Sequence, residues 1–104
     1  MAGRYGIEFL RSAARELEKL PRDARGRVMA AVLALADAPS PQGAMLLSGT
    51  GRERIWRIPV GQYRVLYQVE DETITVVIVR VADRREAYNT TAIRRLLDQL
   101  GRGR

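Results

Sequence analysis

The sequence predicts an α+β domain: a small antiparallel sheet in the chain order β-α-α-β-β-β, with a helical hairpin packed on one face and a helix at the C-terminus. Three observations carry that expectation. Residues 54–82 contain three consecutive strand patterns, RIWRIPV, YRVLYQVE and the apolar run ITVVIVRV, separated by the turn signals Gly61-Gln62 and Asp71-Glu72. Residues 12–36 repeat apolar side chains at helical spacing on either side of Pro21. A chain of 104 residues is long enough for one core without crosslinks, so 1–104 is expected to be a single domain.

The first strand is placed within residues 1–9, where Arg4 to Phe9 alternates and sets Tyr5, Ile7 and Phe9 on one face. Ser12 is a candidate cap for the helix that follows, and Glu16 lies near its positive end. Ala13, Ala14, Leu17 and Leu20 give this helix one apolar stripe. Pro21 interrupts it, and Asp23 is the expected N-cap of a second helix running to about Ala36. The core face of that helix is Val28, Ala31, Val32 and Leu35. Met29, Leu33 and Ala36 widen its apolar surface sideways, which serves either hairpin packing or a partner.

Pro39 and Pro41 end the helical region, and 40–54 reads as loop with Gly43, Gly49 and Gly51 as turn residues. Leu46 and Leu47 are expected to anchor it. Gly49 and Gly51 do not stand between a strand and a helix N-terminus, so they are not a phosphate loop. In the second strand Trp56, Ile58 and Val60 share one face, with Arg57 and Pro59 on the other. Pro59 has no N–H and is expected at an edge or a bulge. The third strand sets Tyr63, Val65, Tyr67 and Val69 against Arg64, Leu66 and Gln68. Ile74 to Val81 is apolar on both faces, as a strand covered from both sides should be. Residues 90–100 read as a terminal helix, with Ile93, Leu96, Leu97 and Leu100 on one side, and 101–104 as a tail.

The net charge is +6, carried almost wholly by arginine, since Lys19 is the only lysine. Such a surplus suits a polyanion partner, and arginine holds phosphate through a planar fork that stays charged at neutral pH. Base composition alone also enriches arginine, so the clustering matters more than the total. Arg57, Arg64, Arg80, Arg84 and Arg85 all fall within or just after the sheet. The chain has neither cysteine nor histidine, which excludes disulfides, Cys/His zinc sites and imidazole- or thiol-based catalysis. No metal or cofactor is expected. No secretory h-region precedes the fold and no apolar run nears the ~20 residues that span a bilayer, so a cytoplasmic protein without a membrane partner is expected.

With this element order, WRIPVGQYRVLYQVED and VRVADRREAY resemble the basic strand, turn and closing segment of the RelE/ParE toxin superfamily, and the likeness extends from Tyr5 to Tyr88. The resemblance implies the toxin of a type II toxin–antitoxin pair. The YRVLY strand and the terminal tyrosine are more similar to the RelE branch, whose members cut mRNA in the ribosomal A site, than to the ParE branch, whose members inhibit DNA gyrase. It implies Arg64, Arg84 and Tyr88 as catalytic residues and Arg57, Arg64 and Arg85 as phosphate contacts. The implied partners are a cognate antitoxin, the ribosome and mRNA, with DNA reached only through the antitoxin. Two residues depart from the pattern. Pro59 stands where RNA-cleaving members often carry a second cation, and Asp83 precedes Arg84 and is placed to form an ion pair with it.

Cleavage by attack of a 2′-OH on the adjacent phosphate needs a base, cations for the phosphorane and a proton for the leaving oxygen. Without histidine, Tyr88 is the candidate base; an ordinary phenol ionises near pH ~10 and needs cations beside it, which Arg84 and Arg85 would supply. Arg57 and Arg64 would clamp the phosphate and Arg84 the leaving oxygen. From the residues alone Tyr88 is better read as closing the core edge, and Arg64, Arg80 and Arg85 can be solvated charges. A gyrase inhibitor, or a weakened member that only binds RNA or its antitoxin, remains the alternative.

Overall fold

In a computed structural model of the chain, residues 4–41, 43–47 and 54–88 are described. Strand β1 (Gly6–Phe9) leads into helices α1 (Arg11–Glu18) and α2 (Arg22–Leu35); β2 (Met45–Leu46), β3 (Trp56–Val60), β4 (Tyr63–Glu70) and β5 (Thr75–Asp83) follow. They form one sheet in the order β1-β5-β4-β3-β2. The expected terminal helix at 90–100, the tail at 101–104 and the pair Gly49 and Gly51 lie outside the described residues.

The doubly apolar run at 75–83 takes an interior place, flanked by β1 and β4, because both of its faces need cover. On one face Val65, Tyr67, Val76, Ile78 and Val81 meet Ala13 of α1 and Val28, Val32 and Leu35 of α2. On the other, Leu66, Val77 and Val79 cluster with Ile55, with Leu10 and Leu47 packed against them. The faces assigned from alternation along β3 and β4 are therefore the observed ones. Each fully buried aliphatic side chain contributes about 1.5–3 kcal/mol over its exposed state. The ladder between β4 and β5 contains one irregularity: Leu66 pairs with Arg80 and Tyr67 with Ile78, leaving Val79 as an extra residue.

Several local features differ from expectation. The sheet is antiparallel at β2–β3, β3–β4 and β4–β5, but β1 joins β5 in parallel. Two helices and three strands separate the pair, so no hairpin imposes opposite directions. Ser12 is not a cap, since α1 begins at Arg11 with Leu10 in the cap position and no side-chain capping bond. The Leu10 amide still belongs to the sheet, donating to the Ile78 carbonyl at 2.9 Å, and the chain turns into the helix at once. Pro21 does more than interrupt: it occupies the N-cap of α2 in extended geometry, and Asp23 falls inside the first turn, where its charge still suits the helix dipole. β2 was expected to be loop. Its Met45 and Leu46 are both exposed, so no buried side chain marks it as a strand, and Leu46 does not anchor the segment as Leu47 does.

The β3–β4 reversal depends on Gly61, whose φ of 60° is left-handed and favours a residue without a side chain. Pro59 pairs with Arg64, but β2 reaches only Trp56 and Arg57, so the proline sits on the uncovered margin of β3 as its missing N–H requires. Neither described helix is long and apolar enough to cross a membrane.

Tyr67 is fully buried and its hydroxyl donates to the Pro39 carbonyl at 2.6 Å, tying β4 to the segment that follows α2. Burial pushes its phenol up to about 12. The folded state thus holds this proton more tightly than the unfolded chain, whose tyrosine ionises near ~10. The stability involved is complete below that pH and is lost as pH rises through the folded value. Tyr67→Phe should cost about 1 kcal/mol at neutral pH by orphaning the Pro39 carbonyl. The deficit should close toward pH ~12, because only the wild type has that proton to lose. Urea unfolding at stepped alkaline pH measures the gap, and a constant difference would refute the assignment.

Candidate active site

The site is built where the β3–β4 turn meets the end of β5. Arg64, the second residue of β4, pairs with Ala82, so strand pairing brings it within two residues of Arg84. Its Nη1 donates to the carbonyls of Gly61 at 3.1 Å and Tyr63 at 2.9 Å, which folds the guanidinium back over the turn. The Arg84 amide donates to the carbonyl of Gln62 at 2.8 Å, fastening the exit of β5 to the same turn. Arg64 and Arg84 therefore converge on adjacent peptides of one reversal. The Arg64 side chain and the Arg84 backbone are thus anchored to one turn, and two cationic residues rooted so close together raise the local positive potential, which suits an anion.

Arg57 lies on β3 opposite Leu66, on the same sheet face as Arg64 and diagonal to it. Diagonal cross-strand neighbours stand about 7–8 Å apart at the backbone. Arg57 is half-buried, with Nη2 lying 3.5 Å from the Met45 sulfur, a weak acceptor that leaves the guanidinium available to a stronger one. Past β5 the chain makes a tight turn. The Glu86 and Ala87 amides donate to the Asp83 carbonyl at 2.8 and 2.9 Å, and the Ala87 side chain is fully buried, seating the turn on the protein. Arg84 and Arg85 are exposed on it, and Tyr88 follows with 40% of its surface open to solvent. Tyr88 does not close the core edge; buried Ala87 takes that place.

Two expectations about acidic and basic neighbours change. The Asp83 carboxylate accepts the Arg85 amide at 2.9 Å, a turn-capping bond within its own segment, and among the described residues it forms no ion pair with Arg84. Arg80 is not a surface charge. Its side chain is 16% exposed, Nη1 lies 3.5 Å from Glu16 Oε2, and Nη2 donates to the Glu86 carbonyl at 3.1 Å. Glu16 Oε1 in turn accepts the Val81 amide at 2.8 Å. Glu16 was read only as a partner for the helix dipole. The missed signal was its place next to Leu17 and three residues after buried Ala13, a carboxylate beside a core-facing stripe.

Chemically, the arrangement offers one guanidinium folded onto the turn, a second on the same sheet face, an exposed arginine whose backbone is fastened to that turn, and an exposed phenol on the segment that follows. Such a set can bind a phosphodiester and stabilise added negative charge on it. Among the described residues no cluster of acidic side chains fit to hold a metal ion occurs.

Residues 7–88 match the family described as the ParE toxin of the type II toxin–antitoxin system parDE. The Toxin RelG of Mycobacterium tuberculosis is 38% identical over 92 residues, covering 81% of this chain and 95% of that protein. The toxin–antitoxin complex RelBE2 from Mycobacterium tuberculosis contains a chain 32% identical with a TM-score of 0.68, covering 78% of this chain and 99% of the other. The archaeal RelE–RelB complex of Pyrococcus horikoshii gives 25% identity and a TM-score of 0.69, covering 81% and 99%.

The turn-capping role of Asp83 is open to a stability measurement. Asp83→Asn keeps an acceptor for the Arg85 amide and should unfold within about 0.5 kcal/mol of the wild type, whereas Asp83→Ala should lose about 1 kcal/mol. Equal loss in both variants, read by urea titration, would mean that the carboxylate charge acts in some other way.

Proposed function

The chain belongs to the RelE/ParE superfamily, as a RelE-family toxin of a type II toxin–antitoxin system, and from that membership we propose that it is a ribosome-dependent mRNA endonuclease. The observation that carries this reading is the fastening of Arg64 and Arg84 to one turn, with Tyr88 exposed on the segment that continues from it. Tyr88 takes the proton of a ribose 2′-OH, whose oxygen attacks the neighbouring phosphorus. Arg57 and Arg64 hold the non-bridging oxygens, and Arg85 adds to the field along the RNA backbone. As the 2′-oxygen–phosphorus bond forms, the bond to the 5′-oxygen breaks; Arg84 stabilises the charge arriving there, and water or a ribosomal group delivers the final proton. Arginine is too weak an acid to be that donor. A 2′,3′-cyclic phosphate and a free 5′-hydroxyl result.

Pro59 removes one possible cation from the phosphate side, and a phenol is a weak base. Both favour dependence on the ribosome, which aligns the mRNA and completes the charge environment. The toxin acts in the cytoplasm. Its partner is an antitoxin whose segment folds across the basic sheet, consistent with the relatives whose structures are RelE–RelB complexes. DNA is reached only through that antitoxin.

A second reading is favoured by one observation: the matching family is described by its ParE members. A gyrase inhibitor would block plasmid supercoiling in vitro and would be indifferent to Tyr88→Phe. The endonuclease reading expects no such block.

Arg64→Ala, Arg84→Ala and Tyr88→Phe should each lower cleavage of mRNA in stalled ribosomes by about 10²–10³-fold and relieve growth arrest on expression. Their folds should remain intact by circular dichroism. Free RNA should stay largely uncut by the wild type. Full toxicity in all three variants would place the site elsewhere.

A further inference from the structure

We propose that Arg80 and Glu16 form a positioning pair that seats the far end of the turn after β5, the part that carries Tyr88, and thereby sets the turnover rate without touching RNA. Its effect on rate rests on the endonuclease reading above; the pair itself rests on geometry. β1 accompanies β5 only as far as Ile78, so the strand beyond that point has lost its neighbour on one side. α1 fills the gap. Glu16 Oε1 accepts the Val81 amide at 2.8 Å, in the role of a missing strand, while Oε2 faces Arg80 Nη1 at 3.5 Å. Arg80 follows the extra residue of the β5 ladder and stretches in the other direction, donating from Nη2 to the Glu86 carbonyl at 3.1 Å.

The first half of the turn has its own restraints, since Asp83 and Gln62 receive the amides of Arg84, Arg85, Glu86 and Ala87. The Glu86 carbonyl, two residues before Tyr88, takes its bond from Arg80. A purely stabilising role is a poor account of this arginine. Its Nε is buried with no hydrogen-bond partner among the described residues, and an apolar side chain would fill the space without burying charge. A fork linking α1 to the turn is what the cation provides. The line from Glu16 through Arg80 to Glu86 thus connects helix α1 to the segment bearing the candidate base.

The test uses Arg80→Met, which keeps length and loses charge and donors, and Glu16→Gln, which keeps an acceptor for Val81. Rates are measured per folded molecule on mRNA in stalled ribosomes. Displacing a reacting group by about 1 Å can cost on the order of 10²-fold, so kcat should fall about 10–100-fold in Arg80→Met while KM stays within about threefold. Glu16→Gln should give a smaller fall of the same kind. In a Tyr88→Phe background, Arg80→Met should cost less than about threefold further, because the group being positioned is already gone. Hydrogen exchange provides an arm independent of activity: amides 86–88 should exchange about tenfold faster in Arg80→Met, with those of β4 unchanged. Unchanged kcat per folded molecule, equal losses in both backgrounds, or exchange that rises uniformly would each overturn the pairing. If the wild type cuts no ribosome-bound mRNA, the endonuclease reading fails by itself, and localised exchange then upholds the pair while unaltered exchange removes it.

Discussion

The pairing of β4 with β5 is the constraint on which the rest of the molecule depends. It is the longest ladder in the sheet, and its single extra residue at Val79 is placed where structure gives way to chemistry. Before it, Val76 and Ile78 face the helices and Val77 faces away, in simple alternation. After it the phase shifts by one, so Val81 returns to the helix side and Arg80 stands opposite Leu66. A perfectly regular strand would send Val81 to the wrong face, since side chains alternate with period two. One inserted residue therefore keeps the core continuous and delivers a cation to the rim.

The arginines of the sheet divide by what their nitrogens bond. Arg64 folds onto the carbonyls of its own turn and Arg57 rests near a thioether, contacts that a phosphate can supplement or displace. Arg80 is committed to a carboxylate and a backbone carbonyl. The same residue type is thus left available to an anion at one place and committed as an internal strut at another, because position along the ladder decides which partners are within reach. Asp83 shows the complementary case: a carboxylate beside two arginines caps its own turn through a backbone amide and, among the described residues, forms no ion pair with Arg84.

Much of this was legible in the sequence. The strand bounds of β3 and β4 followed from Gly61-Gln62 and from strict alternation, and the helix-facing residues Val28, Val32 and Leu35 from helical spacing. Arg64 and Arg84 were candidates only through family resemblance, and nothing in their local pattern states that both are fastened to one turn. What could not be read depended on contacts far apart in the chain. The parallel pairing of β1, the strand β2 with both side chains exposed, and the reach of Glu16 to Val81 across 65 positions leave no local periodicity to detect. Capping also misled, since Ser12 and Asp23 are good cap residues whose positions were decided instead by the Leu10 bond to β5 and by Pro21.

Pro59 has been described by what it denies the active site, a second cation. It also closes an otherwise open margin of the molecule. Among the described residues β3 extends beyond the two that β2 covers, and an uncovered strand margin is a template on which another extended chain can grow. An imino acid at that point offers no donor to an incoming strand, so edge-to-edge association is interrupted there. In a small basic protein, a proline at that margin is thus a guard against self-aggregation.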